Sequence, residues 1–199
     1  ASVHLPDGYT LKWTGDFENQ QRASKRLAQV VPVSIAIIFV ILFILFSNAR
    51  DAGLVLLNVP FAAAGGIIAL LITHFNFSIS AGIGFIALFG ICIQNGVIMI
   101  SGIKSNVRSH IPLSEAVKNT VRSRVRPVVM TAAMAAIGLM PAALSHGIGS
   151  ESQRPLAIVI IGGVLCDTFF TLFIFPLIVE VIYGKTLYDK EGKLRQRRV

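Results

Sequence analysis

Between Asp51 and Lys104 lie 52 consecutive residues without one Asp, Glu, Lys or Arg. No other feature limits the fold of this 199-residue chain as tightly. As a single helix the stretch would be roughly 78 Å long at 1.5 Å per residue. The hydrocarbon core of a bilayer is only about 30 Å thick. The run therefore has to fold back, and the sequence shows where. His74-Phe75-Asn76-Phe77-Ser78-Ile79-Ser80 is polar, aromatic and uncharged, and separates a span near 53–73 from one near 81–103. Three further apolar runs have crossing length: 27–49, 127–145 and 156–179, the last interrupted only by Asp167. The expected fold class is an all-α membrane protein with five transmembrane helices, a region of residues 27–183. A soluble bundle is excluded because five such runs leave no polar outer face. Only 14% of residues are charged, against about 25% in ordinary soluble domains.

The net charge of +8 raises the question of nucleic acid. Placement of the 18 Lys and Arg answers it. Six lie in the third connection (Lys104, Arg108, Lys118, Arg122, Arg124 and Arg126) and six in the tail after Tyr183. With five spans these two segments share a side, and the positive-inside rule makes that side cytoplasmic. Residues 1–26 then lie outside, with a turn-like Leu5-Pro6-Asp7-Gly8-Tyr9, a strand-like Thr10-Leu11-Lys12-Trp13 and a helical pattern from Glu18. Residues 110–126 read as an amphipathic connector, with Leu113, Val117, Val121 and Val125 on one face and Lys118, Arg122 and Arg126 on others. Pro127 is placed where a new helix can begin. Residues 184–199 form a basic cytoplasmic tail, and no nucleic-acid partner is expected. The first residue is Ala1 rather than Met, with no signal peptide behind it, so the chain is expected to be a piece of a longer protein.

Polar groups inside hydrocarbon are costly and mark function or packing. Gly90, Gln94, Val97 and Ser101 follow each other at steps of four, three and four, and Asn95 lies beside that face. Thr131, Ala135, Gly138 and Ala142 make a second small-residue face. Asp167 is the sharpest single residue, a carboxylate in mid-span with Gly163 and Thr171 four residues either side. Its two readings are a proton or cation site and a capped or snorkelling acid at a protein interface. Met130 and Met134, one turn apart, suit packing better than Cu(I). The histidines His4, His74, His110 and His146 have no ligand spacing, and the two cysteines, Cys92 and Cys166, form no CxxC pair. No resident metal or cofactor is expected. Searches for nucleotide-binding and hydrolytic motifs find nothing, so no enzyme is expected.

Four stretches together resemble the resistance-nodulation-division (RND) exporters in their heavy-metal efflux branch, the Cus/Czc type. They are Trp13-Thr14-Gly15-Asp16-Phe17-Glu18-Asn19-Gln20-Gln21-Arg22-Ala23; Gly90-Ile91-Cys92-Ile93-Gln94-Asn95-Gly96-Val97; Arg124-Val125-Arg126-Pro127-Val128-Val129-Met130-Thr131; and Gln153-Arg154-Pro155-Leu156-Ala157 with Ile161-Gly162-Gly163. The resemblance implies the C-terminal portion of a twelve-span permease, with residues 1–26 ending its second periplasmic insertion. It implies a proton-driven heavy-metal cation exporter of the bacterial inner membrane. Its implied partners are the remainder of the same permease, a homotrimeric assembly, a periplasmic adaptor, an outer-membrane channel and the lipid bilayer. A multidrug RND permease and a non-transporting truncated module are the alternatives. Implied proton-relay positions are Asn95, Gln94, Thr131 and Arg124. Several relatives carry Lys or Glu where Gln94 stands, and Gln94 cannot itself carry a proton. Asp167 stands where the family pattern leads one to expect a small or hydroxyl residue. Helix-packing roles are expected for Gly90, Ser101, Gly138 and Gly163.

Overall fold

A computed structural model describes residues 16–147 and 149–184. The strand-like segment at 10–13 and the basic tail from 185 lie outside the described residues. Five helical passes are present, each long and apolar enough to cross a membrane. Helix α1 (Asp16–Phe46) runs from one end of the bundle to the other. The return pass is α2 (Ala49–Leu56) followed by α3 (Asn58–Ile72). The interruption at Leu57 has a local cause: Pro60 has no N–H to give the carbonyl one turn before it. Then come α4 (Ile79–Arg108), α5 (Leu113–Leu144) and α6 (Ser150–Phe169). A π-turn, Phe170–Ile174, carries α6 into a last helical stretch over 175–184.

The reversal expected at 74–80 is built by two caps. His74 takes the left-handed conformation (φ 56°). The amide N–H of Phe75 donates to Leu70 and that of His74 to Leu71, the six-to-one and five-to-two bonds of a Schellman ending. Ser78 then accepts from the Ala81 amide and opens α4. His110 closes α4 in the same manner, at φ 64° with Ile111 bonded back to Asn106. Two of the scattered histidines are thus helix-ending residues.

One expectation changes here. No helix starts at Pro127; α5 continues through it for 32 residues from Leu113 to Leu144. The connector at 110–126 is therefore the first half of a long helix. Val117 is buried and Leu113 and Val121 pack on the core, which holds the segment in line with the span. The Thr131 hydroxyl takes up the Pro127 carbonyl at 2.9 Å. Lys118, Arg122 and Arg126 stay on the outside.

Helices α3, α4 and α6 form the centre, while α1 and α5 bury much less of their surface. Contact between α3 and α6 is close because each helix places a glycine against a small side chain of the other at the crossing. A Cβ on Gly65 would strike Cys166, and one on Gly162 would strike Ala69. Two apolar clusters fill the interior, one around Leu88, Val159 and Val164, the other around Val55, Met99, Phe170 and Phe175. At the far end Arg154 donates to the Ala143 carbonyl at 3.2 Å and lies over the Phe75 ring, joining two connections.

Candidate functional site: a buried carboxylate between two apolar clusters

The polar centre sits at mid-height, between the two apolar clusters. Asp167 of α6 is fully buried, in the eighteenth position of a pass that starts at Ser150. The Asn95 amide of α4 donates to its Oδ2 at 2.8 Å. The Thr171 hydroxyl, one turn on, donates to Oδ1 at 3.5 Å. Both donors are neutral; neither is a cation. The Cys92 thiol of α4 is also buried. Asn58 of α3 completes the surroundings: its amide donates to the Cys92 carbonyl at 3.4 Å, and its own Oδ1 is buried without a partner among the described residues. A carboxylate in such a place has two states that differ by a full charge, and its partners must rearrange when it takes a proton. Its donors come from α4 and from the π-turn that continues α6.

The other expected positions divide by face. Gln94, Gly90, Ser101, Thr131 and Gly138 are exposed. A Cβ on Gly90 or Gly138 would meet nothing within 4 Å among the described residues. Arg124 is half-buried on α5, with its Nε buried and without a partner among the described residues. Gly163 packs directly on Leu88. The structure thus brings Asn95 and Asp167 together and turns Gln94, Thr131 and the two small-residue faces outward. Met99 is in the core, and Met130 and Met134 point outward. Among the described residues no three His, Cys, Asp or Glu side chains group to hold a metal.

A second polar cluster lies at the end of the bundle where α1, α2, α4 and the last helix meet. Asp51, fully buried, accepts from Lys104 Nζ at 2.7 Å and from the Tyr183 hydroxyl. Lys104 also reaches the Phe46 carbonyl at 3.4 Å and lies 5.4 Å from the Phe46 ring centre. Sequence reasoning used these residues only to count charge. The signal was present: Asp51 and Lys104 bracket the longest uncharged run. A run that folds back once delivers its two ends to the same end of the bundle.

The geometry defines a membrane-spanning helical bundle with a carboxylate held in its interior, the class to which transporters belong. The comparisons place it further. The model of the AcrB/AcrD/AcrF family matches residues 1–183, and the chain belongs to that family of RND transporters. It is 44% identical over 185 residues to the cobalt-zinc-cadmium resistance protein CzcA of Cupriavidus metallidurans, covering 93% of this chain and 17% of that protein. It is 34% identical over 192 residues to the cation efflux system protein CusA of Escherichia coli, covering 91% of this chain and 18% of that protein. A crystal structure of a heavy metal efflux pump matches with a TM-score of 0.76 and 43% identity, over 92% of this chain and 18% of that one. The chain thus spans less than a fifth of the relatives it matches.

Proposed function

We infer that this chain is the C-terminal membrane part of a proton-driven exporter of heavy-metal cations. It works with the remainder of the same permease, in a homotrimer joined to a periplasmic adaptor and an outer-membrane channel. Residues 1–26 lie on the periplasmic side. The first half of α5 and the tail from 184 lie on the cytoplasmic side, in a bacterial inner membrane. The Lys and Arg distribution supports this orientation. Similarity to CzcA across nearly the whole chain supports metal over drug as cargo.

The observation that carries the reading is the Asp167 centre. A fully buried carboxylate with two neutral donors has no counter-charge among the described residues to keep it ionised. Intramembrane acids of this kind serve as proton carriers. An inward proton gains about 2.3 kcal/mol per 100 mV, and losing the Asp167 charge loosens the Asn95 bond that ties α4 to α6. That shift in helix packing is the step transmitted to the metal path. Asn95 orients the carboxylate. Gln94, Thr131 and Arg124 line the faces turned toward the rest of the permease, where Gln94 and Arg124 donate hydrogen bonds to acidic groups on other helices and the Thr131 hydroxyl, its own proton on the Pro127 carbonyl, accepts one from a protonated acid. Gly90 and Gly138 allow those helices to approach, and Gly163 does the same for Leu88 inside the segment.

The test is Asp167→Asn in the full-length permease, which preserves shape and removes the proton. Cells are challenged with Zn, Co, Cd, Ni and Cu salts and, separately, with drugs. Metal resistance is expected to fall at normal expression. Undiminished resistance would exclude a proton role for Asp167, and loss of drug tolerance alone would favour the multidrug reading.

A further inference from the structure

At the end of the bundle that carries the Asp51 cluster, α1 and α4 leave a pocket of about 310 Å³ between them, within the lower range of small-ligand sites. Every polar side chain lining it can donate a hydrogen bond. Ser47 follows α1; Ser101, Lys104, Ser105 and Arg108 lie on successive turns of α4. No carboxylate lines it. Asp51 is behind the wall, fully buried, and fixes Lys104 by the 2.7 Å ion pair. An ammonium has three protons. One goes to Asp51 and one to the Phe46 carbonyl, which leaves the third for the pocket. Asp51 balances the charge of Lys104, so the guanidinium of Arg108 sets the net positive charge. Guanidinium, ammonium and three hydroxyls around one small cavity match the oxygens of a phosphate group.

The apolar surroundings indicate what the phosphate is attached to. Leu45 and Phe46 form the remaining wall. Above them an exposed strip of α1, Ile37, Ile41 and Ile44, runs up the outside of the bundle. A free phosphate ion has no use for that strip; an acyl chain does. We propose that this pocket is a binding site for the phosphodiester headgroup of an anionic phospholipid, with Arg108, Lys104 and the three serines on the phosphate and an acyl chain along α1. Basic pockets between helices at a membrane face are recognised sites for such headgroups. The inference needs only that the chain spans a membrane, and it goes beyond the transport reading.

The experiment uses the purified full-length permease, stripped of lipid in detergent and titrated with short-chain phosphatidylglycerol by native mass spectrometry. Short-chain phosphatidylcholine, inorganic phosphate and an exposed-site control, Arg122→Gln on α5, are run beside it. Arg108→Gln combined with Ser105→Ala removes the charge and one hydroxyl and leaves the Asp51–Lys104 pair intact. Phosphatidylglycerol is expected to bind the parent protein and the Arg122→Gln control alike, and the double variant about tenfold more weakly. Equal binding by the double variant overturns the site. Equal binding of phosphatidylcholine overturns recognition of an anionic headgroup, and displacement of the lipid by equimolar inorganic phosphate overturns the lipid as ligand. Failure of metal transport in the same protein bears on the proposed function and leaves this result untouched.

Discussion

Removing Lys104 and removing Asp51 should cost very different amounts, although each breaks the same 2.7 Å ion pair. Lys104→Met keeps the length of the stem and deletes the ammonium. Asp51 has no exposed surface, so its charge stays buried with the Tyr183 hydroxyl as its remaining partner. Breaking a buried pair from one side costs about 3–5 kcal/mol. The Lys104 side chain is 27% exposed, so water reaches the gap, and we take the lower end, about 3 kcal/mol. Asp51→Asn leaves the ammonium facing an open pocket and still bonded to the Phe46 carbonyl, at a cost of about 1.5 kcal/mol. Added independently these give about 4.5 kcal/mol. The double variant has no orphaned charge and should cost about 1.5 kcal/mol, a coupling of about 3 kcal/mol. The assay is the melting midpoint of the purified full-length permease. The expected order is wild type highest, then Asp51→Asn level with the double variant, and Lys104→Met lowest. Equal losses for the two single variants, or a double variant below both, would refute the reasoning.

Other outcomes follow from the same geometry. Asn95→Leu withdraws the closest donor from Asp167 and should destabilise by about 1.5–3 kcal/mol, measured as a fall in melting midpoint that Asp167→Asn in the same chain partly reverses. Gly162→Leu forces α6 away from Ala69 of α3 and should lower the folded yield sharply, since even ordinary overpacking costs about 1–3 kcal/mol; unchanged yield would show that α3 and α6 do not cross there. With Cys92 and Cys166 replaced by Ala, a cysteine at Gln94 should cross-link to a helix outside residues 16–184, whereas one at Leu88 should not. The readout is the mass of the cross-linked peptides.

The five passes were legible because length and charge suffice for them: each apolar run was long enough and each break was polar. The α5 continuation through Pro127 was not, because a proline signals a start as readily as an interior position, and only packing of Val117 on the core decides. The Asp167 centre was half legible. Asp167 and Asn95 each stand out as polar groups in apolar runs, but their pairing depends on the rotation of α4 about its axis. The small residues Gly90 and Ser101 mark a face suited to close contact without saying whose. Inside this segment α4 buries the opposite side, Leu88, Cys92, Asn95, Met99 and Ile103. Asn58 is the one amide in the span near 53–73, but nothing in the sequence turns it toward α4, and Asp51 and Lys104 stand as borders in the sequence and as partners in the fold.

The π-turn explains how one helix serves both polar clusters. Asp167 and Tyr183 are sixteen residues apart, which at 3.6 residues per turn places them roughly 160° apart around a regular helix. Both nevertheless face the interior, one toward Asn95 and the other toward Asp51. The turn at Phe170–Ile174 uses wider hydrogen-bonded rings that absorb one residue, so the sixteen act as fifteen and the separation falls to about 60°. The sequence carries a trace of this: Gly163, Asp167, Thr171, Phe175, Val179 and Tyr183 repeat every four residues, a period too long for an unbroken α-helix. Deletion tests the account. Phe173 lies in the π-turn and Leu165 in regular helix, and both side chains point outward. Deleting Phe173 should let the turn relax to α-helix with Tyr183 still beneath Asp51, and the full-length permease should fold and keep most of its transport. Deleting Leu165 rotates everything after it by about 100°, takes Asp167 away from Asn95, and should abolish folding. If the two deletions are equally damaging, the π-turn is not what sets the register.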